Sequence, residues 1–157
     1  MKLIRLLILS QTLLFNSELF CQQVDIGIFP SNTIYQMEVR IRPTYAEDGS
    51  KTITDARFTV KWPVSSGIST LLTGFQSSVY SFVPSGSVVT YNGYNYQMFV
   101  ASAGQIVTWS SGTQIPVLTF EFSGLVCPSF EIAADDFVAQ PSVNGNYLFE
   151  IAGVART

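Results

Sequence analysis

The side chains that enzymes most often recruit are thinly represented in this chain. It contains no histidine, which removes Ser-His-Asp and Cys-His nucleophile systems, HExxH zinc sites and most catalytic metal centres. No P-loop or GxGxxG stretch occurs either. Cys127 has no basic neighbour in sequence to hold it as a thiolate, so it reads as a small apolar residue. What remains is carboxylate chemistry. Asp55, Glu121, Glu131, Asp135, Asp136 and Glu150 are the candidates for a glycoside hydrolase, a reaction that needs only two carboxyl groups. Strand parity argues against them. Glu121 alternates with Phe120 and Phe122, and Glu150 with Phe149 and Ile151, which turns both carboxylates toward solvent. A short chain also has little room for a deep cleft beside its own core. The expectation is a protein that is not an enzyme.

Two acidic stretches, Asp135-Asp136 and Glu47-Asp48-Gly49, carry oxygens of the kind that pin loops through calcium. Calcium takes about six or more oxygens, and no D-x-D-x-D spacing supplies them. A turn or strand-end bulge for the first stretch and a hairpin turn for the second are the simpler readings. No cofactor or metal is expected.

The other candidate chemistry is stacking. In "SVVTYNGYNYQMFVASAG" the Asn92-Gly93 pair stands between two β-rich runs, the strongest short hairpin signal, because both residues tolerate positive φ. Tyr91 and Tyr94 then flank the turn as a cross-strand pair, and Tyr96 shares the face of Tyr94. Exposed in a row, these rings would stack on sugar faces, with Trp109 extending the platform. In the competing reading Tyr94, Tyr96, Met98 and Val100 form the core face of a strand, leaving Tyr91 at the tip as the exposed member.

The elements that must position these residues are strands. Apolar residues make up 47% and charged residues 12% of the 157 positions, a balance suited to one domain with a buried core and a Ser/Thr/Asn/Gln surface. In "TIYQMEVRIRPTY", Tyr35, Met37, Val39 and Ile41 alternate with Gln36, Glu38, Arg40 and Arg42. "EDGSK" supplies a turn, with Gly49 free to take positive φ. "ARFTVKW" sets Ala56, Phe58, Val60 and Trp62 against Arg57, Thr59 and Lys61, and stops at Pro63. The middle, to about residue 86, is rich in Ser and Gly and reads as short strands and long loops. "QIVTW", "IPVLTFEFSG", "SFEIAADDFVA" and "NGNYLFEIAG" complete the series. Eight or nine short strands without an amphipathic helix predict an all-β, antiparallel two-sheet β-sandwich.

The N-terminus, "MKLIRLLILSQTLLFNSELFCQQ", places Lys2 and Arg5 before an apolar run from Leu6 to Phe15, the layout of a secretory signal. The run is too short and interrupted for a membrane span. Cleavage after Cys21 would leave a domain at 22–157, with no transmembrane segment. Retention and acylation of Cys21, or a Cys21–Cys127 disulfide after earlier cleavage, are the alternatives. Taking Lys2, Arg5 and Glu18 from eight basic and eleven acidic side chains leaves six and ten, a net charge of −4. Nucleic acid is not an expected partner, since phosphate binding requires a basic face. The final strand pattern runs almost to Thr157, as it would in a spacer domain of a longer surface protein.

The succession "ARFTVKW", a long variable middle, "IPVLTFEFSG", "FEIAADDFVA" and "NGNYLFEIAG" resembles the cohesin-like domains of the cellulose-binding module/cohesin superfamily, in the divergent form of secreted proteins from Bacteroidetes-type bacteria. The resemblance covers most of residues 24 to 157 and implies a jelly-roll of about nine strands. It also implies a non-catalytic holding role outside the cell or on the outer surface of a Gram-negative bacterium. The partner it implies is a protein, dockerin-like or a surface protein, or a polysaccharide.

Overall fold

The structure is a computed structural model that describes residues 22–68, 73–76, 80–123 and 128–157. The expected leader at 1–21, Cys21 and Cys127 lie outside the described residues. Among those described, no helix is long and apolar enough to cross a membrane.

Among the described residues eleven strands are found where about nine were expected: β1 (Val24–Pro30), β2 (Gln36–Pro43), β3 (Glu47–Pro63), β4 (Thr73–Gln76), β5 (Phe82–Tyr91), β6 (Tyr94–Ala101), β7 (Ile106–Trp109), β8 (Ile115–Glu121), β9 (Glu131–Ile132), β10 (Leu148–Ile151) and β11 (Val154–Ala155). The excess includes the two-residue β11, too short to show a period in the sequence. All pairings are antiparallel. One sheet has the order β1-β2-β8-β4. The other has seven strands, ordered β11-β10-β3-β6-β5, with β7 and β9 also paired to β3.

The inner faces of the two sheets meet in one apolar core. Val39, Ile41, Val117, Leu118 and Phe120 come from the first sheet, and Ile53, Ala56, Phe58, Val60, Trp62, Phe99 and Phe149 from the second. The expected faces of "ARFTVKW" and "IPVLTFEFSG" are therefore observed. Val117 and Leu118 are both buried although adjacent, because the β2–β8 register shifts between Val39 and Arg40 and leaves Val117 as the bulged residue. Phe130 joins the layers: its ring lies 6.1 Å from Trp62 on one side, and 5.2 and 5.1 Å from Phe120 and Phe122 on the other.

Three local expectations are corrected. Glu47–Lys51 is not a hairpin turn but the start of the 17-residue β3; Gly49, at φ +93°, lies in a bulge where Asp48 pairs with Thr108 and Lys51 with Val107. Tyr35 is not the first member of an alternating strand. It takes φ +62° in the turn before β2 and is half exposed, its ring edge-on to Phe122. "SFEIAADDFVA" forms strand only at Glu131–Ile132 and then turns, because the Asp135 carbonyl accepts from Ala139 N and its Oδ1 is approached by Val138 N.

Phe130 is the side chain through which the two layers touch most directly. Phe130→Ala should lower stability by about 3–5 kcal/mol, read as a shift of the urea midpoint. Glu121→Ala on the solvent face should stay within about 0.5 kcal/mol.

Candidate functional site

The β5–β6 hairpin closes as the sequence predicts. Asn92 and Gly93 take φ +45° and +83°, and Tyr91 pairs with Tyr94 across the turn. The turn is anchored from outside by Val64 N donating to the Gly93 carbonyl at 2.9 Å.

The inward face of β6 is the reverse of the core reading. Asn95, Gln97 and Phe99 point into the sandwich, while Tyr94, Tyr96, Met98 and Val100 lie on the outer face. Both inward amides are hydrogen-bonded, although Gln97 Oε1 is buried with no partner among the described residues. Asn95 Nδ2 donates to the Ile68 carbonyl, which also accepts from Trp62 Nε1, and Asn95 Oδ1 accepts from Thr90 Oγ1. Gln97 Nε2 donates to the carbonyls of Met98, Gly86 and Ser85.

The outer face is in turn roofed by the segment that follows β9. Ala133, Phe137 and Val138 pack with Tyr96 in a second small apolar cluster, with Val143 against it. The roof is tied down by Ala133 N to the Thr59 carbonyl and by Thr59 Oγ1 to the Gly145 carbonyl, both at 2.8 Å. Gly145 must be a glycine for this approach: a Cβ there would stand 2.7 Å from Thr59 Oγ1. The Asn144-Gly145 pair thus serves contact with β3 rather than a two-residue hairpin.

Between hairpin and roof lies a concavity of about 200 Å³ lined by Tyr91, Asn92, Tyr94, Tyr96, Asp135, Asp136 and Phe137. Of the sequence-predicted residues, Tyr91 (46% exposed) and Tyr94 (39%) form its lip, and Tyr96 (5%) its wall. Trp109 does not extend the platform. It is 6% exposed within the main core, where its ring meets Tyr45, Tyr80 and Phe149, because the parity of β7 turns Val107 and Trp109 inward and Ile106 and Thr108 out. Phe137, absent from the predicted set, is the roof residue that organises the rings: Tyr91 stacks on it at 4.9 Å and 22°, and Tyr96 tilts against it at 4.5 Å. The apolar Phe137-Val138 pair directly after two aspartates was the signal for it.

Electrostatically the concavity is acidic around one partly buried cation. Lys61 Nζ contacts Asp135 Oδ2 at 3.2 Å and Glu131 Oε2 at 3.4 Å, and stands 5.2 Å from the centre of the Tyr94 ring. The Tyr96 hydroxyl donates to the same Asp135 oxygen at 3.1 Å. Burial pushes the Asp135 carboxyl up, but the hydrogen bonds from Lys61 and Tyr96 outweigh it and hold the group below its ordinary value. Burial likewise works against the Lys61 ammonium, yet its bond to Asp135 and the two carboxylates raise it. For Tyr96, burial and the Asp135 carboxylate both push the phenol up. Asp136 is exposed and has no hydrogen-bond or ion-pair partner among the described residues.

The remaining candidate carboxylates do not join this site. Glu121 accepts from Gln36 Nε2, Glu150 from Thr54 Oγ1, and Asp55 pairs with Arg57 at 2.7 Å. Glu47 is buried against Lys51 at the start of β3, whereas Asp135 sits beside Lys61 near its end. The two acidic stretches therefore do not combine, and no group of three metal-ligating side chains occurs among the described residues. A larger concavity of about 300 Å³ lies against β1 and β2, but its charges are paired, Arg42 with Asp25 and Arg40 with Glu38, both at 2.8 Å.

No protein-family model, curated protein or solved structure matches this chain. The likeness to cohesin-like domains rests on the strand phrases alone.

The Lys61–Asp135 contact is partly solvated, so it is worth about 1 kcal/mol at most. Because the Asp135 pKa is depressed, its contribution is complete above the ordinary value of 3.8 and is lost as pH falls through the lowered one. Asp135→Asn should be less stable than wild type near neutrality, and the gap between their urea midpoints should close as pH falls below 3.8. The raised pKa of Lys61 places a second loss above 10.5, where the same gap should shrink again.

Proposed function

We propose that this chain is an exported, non-catalytic recognition module of the cohesin-like kind, and that it holds a glycan outside the cell at the β5–β6 hairpin. The observation that carries the reading is the pairing of two exposed tyrosines, Tyr91 and Tyr94, with an unpartnered carboxylate, Asp136, in one concavity. Sugar rings present C–H faces to aromatic planes and hydroxyls to carboxylates and amides, so Tyr91 and Tyr94 supply stacking area while Asp136 and Asn92 supply acceptors. The volume is below that of drug-sized clefts, typically ~300–1,000 Å³, and suits a single ring at a time. The basic-led apolar leader and the acidic net charge support export and an extracellular ligand that is not nucleic acid.

A second reading, docking of a protein partner, is favoured by one feature. β5 ends its sheet, and Val83 and Val89 on it are exposed apolar residues, which is how sheets accept an added strand.

Binding of the purified protein to a panel of soluble and insoluble polysaccharides decides between them. Saturable binding, weakened about tenfold by Tyr91→Ala or Tyr94→Ala, is the expected result. No binding to any polysaccharide overturns the glycan reading and leaves the protein partner, to be sought by pull-down from the surface fraction of the producing cells.

A further inference from the structure

The charge left over in the concavity narrows the ligand. Three carboxylates, Glu131, Asp135 and Asp136, surround this corner, and one ammonium, that of Lys61, is shared by the first two. Asp135 has also taken the Tyr96 hydroxyl. Asp136 stands beside them on the lining with nothing to neutralise it among the described residues. The tyrosine lip is meanwhile a surface that accepts cations: the Lys61 ammonium already stands 5.2 Å from the Tyr94 ring centre, at a distance where the ring quadrupole attracts positive charge.

We propose that the Tyr91–Tyr94–Asp136 concavity selects a protonated amine on its ligand, so that the preferred glycan is a chain of amino sugars carrying free, unacetylated ammonium groups. The inference rests on the glycan reading above. A sugar ammonium can donate a charge-assisted hydrogen bond to Asp136 while lying over a ring face of the lip, where a neutral hydroxyl forms only a weaker bond. An acetylated amine loses the charge, and an acidic sugar meets like charge from Asp136 and Asp135. A repeating chain fits better than a lone amine for a second reason. A neighbouring concavity of about 240 Å³ shares Tyr96 and Phe137 with the first and is lined beyond them by Ser85, Ser87 and Ser142 with Val89 and Met98. A linear ligand can therefore occupy both, with the charged unit at the acidic end.

The test is titration calorimetry of the purified protein at physiological salt with four probes: the glucosamine tetramer, the N-acetylglucosamine tetramer, cellotetraose and tetralysine. The expected result is that the glucosamine tetramer binds about tenfold more tightly than the other three, and that Asp136→Asn removes this preference. Equal affinity for the three sugar tetramers, with loss in Tyr91→Ala, overturns the amine selection and leaves the glycan reading standing. Failure of every sugar tetramer overturns both. Tetralysine binding as tightly as the glucosamine tetramer, with the other two sugars silent, overturns the sugar as carrier of the amine and points to a basic peptide.

Discussion

The architecture hangs on β3 and on how much backbone pairing one strand can carry. Its 17 residues pair with four others: β7 near its start, β10 along its middle, and β6 and β9 toward its end. A strand this long would twist away from a compact core if it stayed regular. It is corrected twice, by the Gly49 bulge opposite β7 and by a register shift opposite β10 that skips Thr54. The second shift changes which parity faces inward. Ile53 is buried before it, and Ala56, Phe58, Val60 and Trp62 after it, so one strand keeps its apolar side on the core along its length.

The same strand organises the candidate site from its other face. Thr59 and Lys61 point away from the sandwich core, and each binds the roof: Thr59 through the Gly145 carbonyl and its own carbonyl to Ala133 N, Lys61 through Asp135 and Glu131. The roof covers one half of the outer face and leaves the hairpin tip uncovered. Tyr96 and Phe137 are packed where the roof lies, and Tyr91 and Tyr94 stay open where it stops. Stacking of Tyr91 on Phe137 restricts the lip, so the proposed ligand would meet a ring already held in place and less conformational freedom would be lost on binding.

Asp135 and Asp136 are adjacent in the chain and differ in role through their neighbours alone. Asp135 faces Lys61 and Tyr96 and holds the roof to the sheet. Asp136, one residue on, is turned toward the concavity and solvent. A single turn, closed by Ala139 N on the Asp135 carbonyl, separates a structural carboxylate from one open to solvent.

Local pattern was enough for much of the fold. Period-two alternation in "ARFTVKW" and "IPVLTFEFSG" placed Phe58, Val60, Trp62, Leu118 and Phe120 in the core, and Asn92-Gly93 placed the hairpin with Tyr91 opposite Tyr94, because these signals depend on pleat and turn dihedrals within a few residues. Pattern misread β6, where both faces are covered and the inward positions include Asn95 and Gln97. Parity marks the core face only when the other face is wet. Trp109, expected to extend the tyrosine row, is turned into the main core with Val107 by the alternation of β7. The sequence by itself determined the all-β class, the regular strands, the hairpin and the scarcity of catalytic side chains. Only the tertiary structure decided that Tyr91, Tyr94, Asp135, Asp136 and Phe137 share one concavity, since the tyrosines of the hairpin and the Asp135–Phe137 run lie about forty residues apart in the chain and meet through non-local pairing on β3.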